Sequence, residues 1–193
     1  MKNITVFCGS SLGAKEIFQT TAFDVGKTLA NLNIGIIYGG ARVGLMGALA
    51  EGCLQNDGKV TGVIPGFLMD KEIVHQKLTE LIIVDTMHER KTKMNDLCDG
   101  IIALPGGFGT LEELFEMFTW AQLGLHKKPV AIMNIDGFYD PLNSLVKTMV
   151  DSGFLKEVNR EMLIMSDNIE DILKQMESYV APTVPKWITR EST

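Results

Sequence analysis

The residues of this chain best suited to chemistry fall in two short runs. In one, Pro105-Gly106-Gly107-Phe108-Gly109-Thr110-Leu111-Glu112-Glu113, a glycine-rich turn leads straight into adjacent carboxylates. In the other, Met87-His88-Glu89-Arg90-Lys91, cations crowd the start of an expected helix. Three glycines in four positions, followed by the hydroxyl of Thr110 at the expected helix cap, make a nest for a phosphate. Without Cβ atoms the backbone can approach a ligand closely, and the N–H groups of a helix start attract anions. Two further turns are glycine-rich, Gly9-Ser10-Ser11 and Gly39-Gly40-Ala41-Arg42. None is a Walker loop, because no Gly-Lys-Ser/Thr follows, and none fits the dinucleotide pattern GxGxxG well. A nucleoside monophosphate suits these turns better than a triphosphate or NAD. Gly9, Ser10, Gly40 and Gly106 to Thr110 are therefore candidate ligand contacts. For the first turn alone, a tight bend without a ligand is an equal reading.

The carboxylates separate by helical periodicity. In an expected helix over 110–125, Leu111, Leu114, Phe115, Phe118 and Leu125 share one side, expected to face a sheet. Glu112 and Glu116 share a second, wet side. Glu113 falls on a third with Met117, Trp120 and Gly124. That stripe is too apolar for open solvent, so Glu113 faces either a covered cleft or a subunit interface, where a carboxylate can be poised for chemistry. The simpler alternative is an acid that complements the helix dipole. In the second run, Thr86 and Glu89 have capping-box spacing, which makes Glu89 structural. Arg90, Lys91 and Lys93 then sit where cations are mildly unfavourable. Either they form a solvated basic face or an anionic ligand faces them, and the ligand is the more economical reading. Met87, which opens this helix, joins the candidate contacts.

Positioning these groups requires alternating strands and helices. Short apolar runs at 4–7, 34–38, 60–64, 81–84, 101–104, 130–135 and 162–165 read as strands. Helical spacing follows all but the third, which Pro65-Gly66 closes: Phe18, Ala22, Val25 and Leu29, then 44–55, from Thr86, 110–125, 141–152 and 169–180. The expected fold class is α/β: a Rossmann-like, doubly wound parallel sheet of about six or seven strands with helices on both faces. The expectation is one catalytic domain over 1–181 and a loosely held tail over 182–193. In such folds ligands bind beyond the carboxyl ends of the strands, where all three glycine turns fall.

The bulk properties narrow the function further. At 193 residues the chain supports one domain with a real core. A net charge of −6 argues against a nucleic-acid partner, and no apolar run reaches membrane-spanning length. The first residues enter a strand at once, unlike a signal peptide. The three cysteines, Cys8, Cys53 and Cys98, are odd in number and form no CxxC, so they read as reduced thiols of a cytoplasmic protein. Cys8 ends a strand, either as a buried structural thiol or lining a site. His75, His88 and His126 have no metal-ligand spacing.

The run from Pro105 to Glu113 resembles the PGGxGTxxE motif of the LONELY GUY (LOG) family, the cytokinin-activating phosphoribohydrolases. Met87-His88-Glu89-Arg90-Lys91 resembles its second signature. Gly39-Gly40 through Gly44-Leu45-Met46-Gly47 and Trp120-Ala121-Gln122-Leu123-Gly124 are similar too, so the likeness runs from Ile4 to about Leu155. The resemblance implies a Rossmann-like fold, a homodimer or larger assembly with the active site near the interface, and no cofactor. It implies Arg90 and Glu113 as the catalytic pair, with substrate contacts at Glu72, Arg90, Lys91, residues 107–113 and Thr119. The implied reaction is hydrolysis of the N-glycosidic bond of AMP or an N6-substituted AMP to free base and ribose 5-phosphate. Members have often been labelled lysine decarboxylases, but this sequence offers no persuasive pyridoxal-phosphate lysine. Two rival readings stand: a non-catalytic nucleotide sensor or carrier of the same fold, and a phosphoribosyl transferase. The first has no need of an Arg90–Glu113 pair, and the second would need acidic metal ligands that are not evident.

Overall fold

The computed structural model describes residues 1–69 and 73–182. Glu72 and the expected tail from residue 183 onward lie outside the described residues. The strands are β1 (Asn3–Phe7), β2 (Gly35–Tyr38), β3 (Val60–Pro65), β4 (Glu80–Val84), β5 (Gly100–Ala103), β6 (Val130–Met133) and β7 (Leu163–Ser166). They form one sheet in the order β4-β3-β2-β1-β5-β6-β7, every pair parallel. The helices are α1 (Glu16–Asn31), α2 (Gly44–Leu54), α3 (Met87–Leu97), α4 (Phe108–Gln122), α5 (Asp140–Asp151), the single turn α6 (Glu157–Arg160) and α7 (Ile169–Ser178).

The central strands are continuous apolar runs because both faces are covered. Alternate side chains enter two separate cores. Ile4, Val6, Ile36, Ile102 and Ala131 pack with residues of α1, α2 and α7. Phe7, Ile37, Ile101, Ala103 and Ile132 pack on the other face with Met94 of α3, Leu114 and Met117 of α4, and Tyr139. The chain leaves β1 through β2, β3 and β4 on one side, then returns to place β5 on the other. This reversal opens a crevice at the carboxyl ends of β1 and β5. The glycine turns follow β1, β2 and β5, three neighbouring strands, so the topology brings them together. Among the described residues, no helix is long and apolar enough to cross a membrane.

Helix α4 departs from expectation at both ends and in its facing. It starts at Phe108 with Gly107 as the cap, so Thr110 lies inside its first turn and does not cap it. It stops at Gln122, because Gly124 turns left-handed at φ +77° and terminates it. Thr110, Leu114, Met117 and Ala121 face the sheet, whereas Phe115 is 37% exposed. Met117, assigned above to the stripe of Glu113, is a core residue. The bulky Phe115 and Phe118 had drawn the expected axis toward themselves, but they line a separate groove beside α5 and α6. β6 also ends early, at Met133, and α6 was not foreseen.

Candidate active site

Backbone bonds weld the glycine turns together. The Gly9 N–H donates to the Pro105 carbonyl at 3.0 Å, and the Gly9 carbonyl accepts from Leu45 N–H at 3.0 Å. Gly106 lies so close to α4 that a Cβ there would sit 2.1 Å from Thr110 Oγ1 and 3.0 Å from Gly9 N. Buried Thr110 thus fills the space that a side chain at 106 would need. No side chain caps α4, which leaves its first-turn N–H groups directed at the crevice.

Strand β4 leads into α3, which is capped as the sequence indicated. Thr86 Oγ1 accepts from Glu89 N–H at 3.1 Å, and Glu89 Oε2 accepts from Asp85 N–H at 2.8 Å, one residue beyond the N-cap that a strict capping box would use. This start sets the first turn so that Arg90 points under the sheet's carboxyl edge. The residue is 5% exposed. Nε donates to the Val63 carbonyl at 3.0 Å and Nη2 to the Gly39 carbonyl at 2.9 Å. A Cβ on residue 39 would lie 2.1 Å from Nη2, so a glycine is required for this arginine to sit where it does.

These elements enclose a cleft of about 360 Å³. One wall is the start of α4, with Gly107, Phe108, Gly109, Thr110, Glu112 and Glu113. The opposite wall is Met87 and Arg90 of α3, and the floor is Cys8, Gly9 and Ser10. Burial, and behind it the charge of Glu113, push the Cys8 thiol far above its ordinary range, so Cys8 stays protonated and is no thiolate nucleophile. Cys8 is thus both a buried thiol and a lining residue. A second crevice of about 300 Å³ opens behind the same turns, shares Gly9, Ser10 and Gly107 with the first, and takes in Gly106. A wider depression, about 580 Å³, lies between α1 and α2 and contains neither Arg90 nor Glu113.

The other predicted contacts are elsewhere. Gly40 is buried against Gly62, Ile64 and Leu81, with its carbonyl bonded to His75 N–H. Leu111, in the first turns of α4, packs against the core on that face of the sheet. Thr119 lies on the groove beside α5 and donates to the Phe115 carbonyl at 2.7 Å. Lys91 turns away from the cleft into α4, where its Nζ meets Glu112 Oε1 at 2.6 Å and Glu116 Oε2 at 2.8 Å. Glu116 is therefore an ion-pair partner and not part of a simple wet side. Met46 of α2 and Leu68 after β3 line the cleft but escaped the sequence reading. The Pro65-Gly66 turn beside β2 was the available signal for Leu68.

A doubly wound parallel sheet with an uncapped, glycine-rich helix start at its switch point, and a buried arginine and a carboxylate in the cleft beside it, defines a Rossmann-like α/β protein. A family model described as "Possible lysine decarboxylase" matches residues 46–176. The chain is 43% identical to the cytokinin riboside 5′-monophosphate phosphoribohydrolase LOG5 of Arabidopsis thaliana over 92% of its length and 78% of that protein's. It is 44% identical to the phosphoribohydrolase LOG of Oryza sativa subsp. japonica, over 93% of this chain and 74% of the relative. The chain belongs to the LOG family. The same fold recurs at 18% identity in the molybdenum cofactor carrier protein of Chlamydomonas reinhardtii, with a TM-score of 0.68 over 92% of this chain and 98% of that one. Among the described residues no lysine lines the cleft.

Proposed function

We propose that the protein hydrolyses a nucleoside 5′-monophosphate, AMP or an N6-substituted AMP, to the free base and ribose 5-phosphate. The observation that carries this reading is one cleft with an uncapped helix start, Glu113 farther along the same helix, and Arg90 on the facing wall. The helix start and the nest around Gly107 take the phosphate. Glu113 lies six residues on, about 9 Å along the axis, with its side chain tilted back toward the N-terminus. A carboxylate there meets the sugar of a phosphate-anchored nucleotide. As the N-glycosidic bond breaks, the ribose becomes a cation. Glu113 stabilises that charge and orients the water that attacks the anomeric carbon. Arg90 presents only donors and no acceptor, so it is no base. Held by two carbonyls, it is a fixed cation that positions the ligand or helps the departing base carry charge.

The names of the curated relatives support this reading. A cytoplasmic setting accords with three free, buried thiols. An assembly of at least two copies accords with the half-buried Trp120 and partly exposed Phe115 on α4, beside a largely apolar groove. The test is release of free base from AMP and N6-substituted AMP against adenosine. Monophosphates should react far faster, and equal rates on adenosine would refute the phosphate anchor.

A further inference from the structure

Lys91 follows Arg90 in α3, and Glu112 precedes Glu113 in α4. The two inner members of this arrangement, Lys91 and Glu112, bind each other at 2.6 Å. Glu116, one turn further along α4, closes on the same ammonium at 2.8 Å. Lys91 thus joins the helix that carries Arg90 to the helix that carries Glu113, at the residue adjoining each. Its side chain is only 9% exposed, and it does not line the cleft, although Arg90 and Glu112 do. Burial alone would lower the pKa of the ammonium. The bonds from Glu112 and Glu116 outweigh burial and raise it, so Lys91 stays charged.

We propose that Lys91 is a positioning residue: it holds Arg90 and Glu113 at a fixed separation by clamping α3 to α4, and it does not contact the ligand. The proposal rests on the hydrolase reading above and departs from the substrate contact that family resemblance implied for this lysine. The clamp has an electrostatic side. Glu112, Glu113 and Glu116 put three carboxylates in the first turns of a helix that faces an anionic ligand. Glu112 and Glu116 are spaced i,i+4, where like charges repel. The shared ammonium cancels that repulsion and keeps the wall of the cleft from spreading. A ligand contact and a clamp have different kinetic consequences. Losing a contact to a ground-state phosphate weakens binding. Losing the clamp moves Glu113 relative to the sugar, and a displacement near 1 Å costs turnover.

The experiment compares Lys91→Met, Lys91→Arg and Glu116→Gln with the unaltered protein in kcat, KM, AMP affinity and thermal unfolding. The clamp predicts that Lys91→Met lowers kcat about tenfold or more while AMP affinity changes less than about threefold. Lys91→Arg restores most of kcat, because a guanidinium fork can reach both carboxylates. Glu116→Gln, outside the cleft, lowers kcat by a smaller factor with affinity intact. Weaker AMP binding at unchanged kcat in Lys91→Met overturns the proposal, as does wild-type kcat in Glu116→Gln. If Lys91→Met does not fold, Glu116→Gln and Lys91→Arg decide by the same criteria. If the unaltered protein releases no base from any monophosphate, the hydrolase reading fails by itself. A thermal double-mutant cycle on Lys91 and Glu116 then decides the clamp: coupling supports it and additivity refutes it.

Discussion

Substituting alanine for Gly39 tests whether the position of Arg90 is what the cleft depends on. Residue 39 does not line the cleft, so any effect on catalysis must travel through the arginine. The added methyl would lie 2.1 Å from Nη2, 3.3 Å from Cζ and 3.4 Å from Met46 Sδ. No backbone atom stands close, and the φ of Gly39 is outside the left-handed region, so alanine imposes no main-chain strain. The guanidinium is what must yield. Moving from 2.1 Å to an ordinary contact of 3.4 Å means a retreat of about 1.3 Å. That retreat breaks the 2.9 Å bond to the Gly39 carbonyl, a charged-donor hydrogen bond contributing about 1.5–3 kcal/mol. A misplacement of about 1 Å in a catalytic group costs on the order of 10²-fold in rate, or about 2.7 kcal/mol of transition-state stabilisation. The assay is base release from AMP, with affinity by calorimetry and thermal unfolding on the same sample. Gly39→Ala should fold, melt somewhat lower, and lose roughly 10²-fold in turnover, approaching but not exceeding the loss in Arg90→Ala. Wild-type turnover in a folded Gly39→Ala protein would refute the claim that carbonyl-held Arg90 takes part in the reaction.

Two other outcomes follow from the geometry. Gly106→Ala drives a methyl to 2.1 Å from Thr110 Oγ1, and overpacking of this kind costs about 1–3 kcal/mol. Thermal unfolding at the wild-type temperature would contradict the close approach of the turn to α4. In solution at micromolar concentration the protein should be at least a dimer, and light scattering that gives a monomer mass counts against this.

The strands were legible because each is a short apolar run between turn residues, and helix coverage on both faces makes that signal continuous. β2 and β5 show it most clearly: all four residues of each are buried. Arg90 was legible as a candidate because cations crowd a helix start, and Glu113 because it falls on an apolar stripe just after a glycine turn; their pairing came from the family resemblance. The facing of α4 was not, because periodicity weighs side chains by size and cannot know that Phe115 and Phe118 serve a different groove. Its start was hidden for the opposite reason. Gly107 and Gly109 read as loop, yet Gly109 lies inside the helix, where the close approach of Gly106 to Thr110 fixes the first turn. Lys91 read as a ligand cation because its two partners lie 21 and 25 positions away, on a helix whose packing against α3 no local pattern specifies. The bond from Arg90 to Gly39 spans 51 positions and gives Gly39 a role the sequence did not indicate, since its turn read as a candidate ligand loop.

A carrier and a hydrolase of this fold make opposite demands on Glu113. The bound phosphate is anionic, and a carboxylate in the same cleft repels it. For a protein that only holds the nucleotide, a carboxylate on the wall opposite Arg90 therefore costs affinity and returns nothing. For a hydrolase the same carboxylate is worth having, because the ribosyl cation appears only in the transition state and the gain exceeds the ground-state cost. Glu113→Gln separates the two. It keeps size and hydrogen bonding and removes the charge. The hydrolase reading predicts turnover lower by roughly 10²-fold or more, about 2.7 kcal/mol, with AMP affinity unchanged or tighter. The carrier reading predicts tighter binding and no reaction to lose. Glu112→Gln is the comparison, since its side chain is 56% exposed and already shared with Lys91; its loss should be modest. Near-normal turnover in Glu113→Gln would remove the carboxylate from the mechanism and leave the cleft as a binding site.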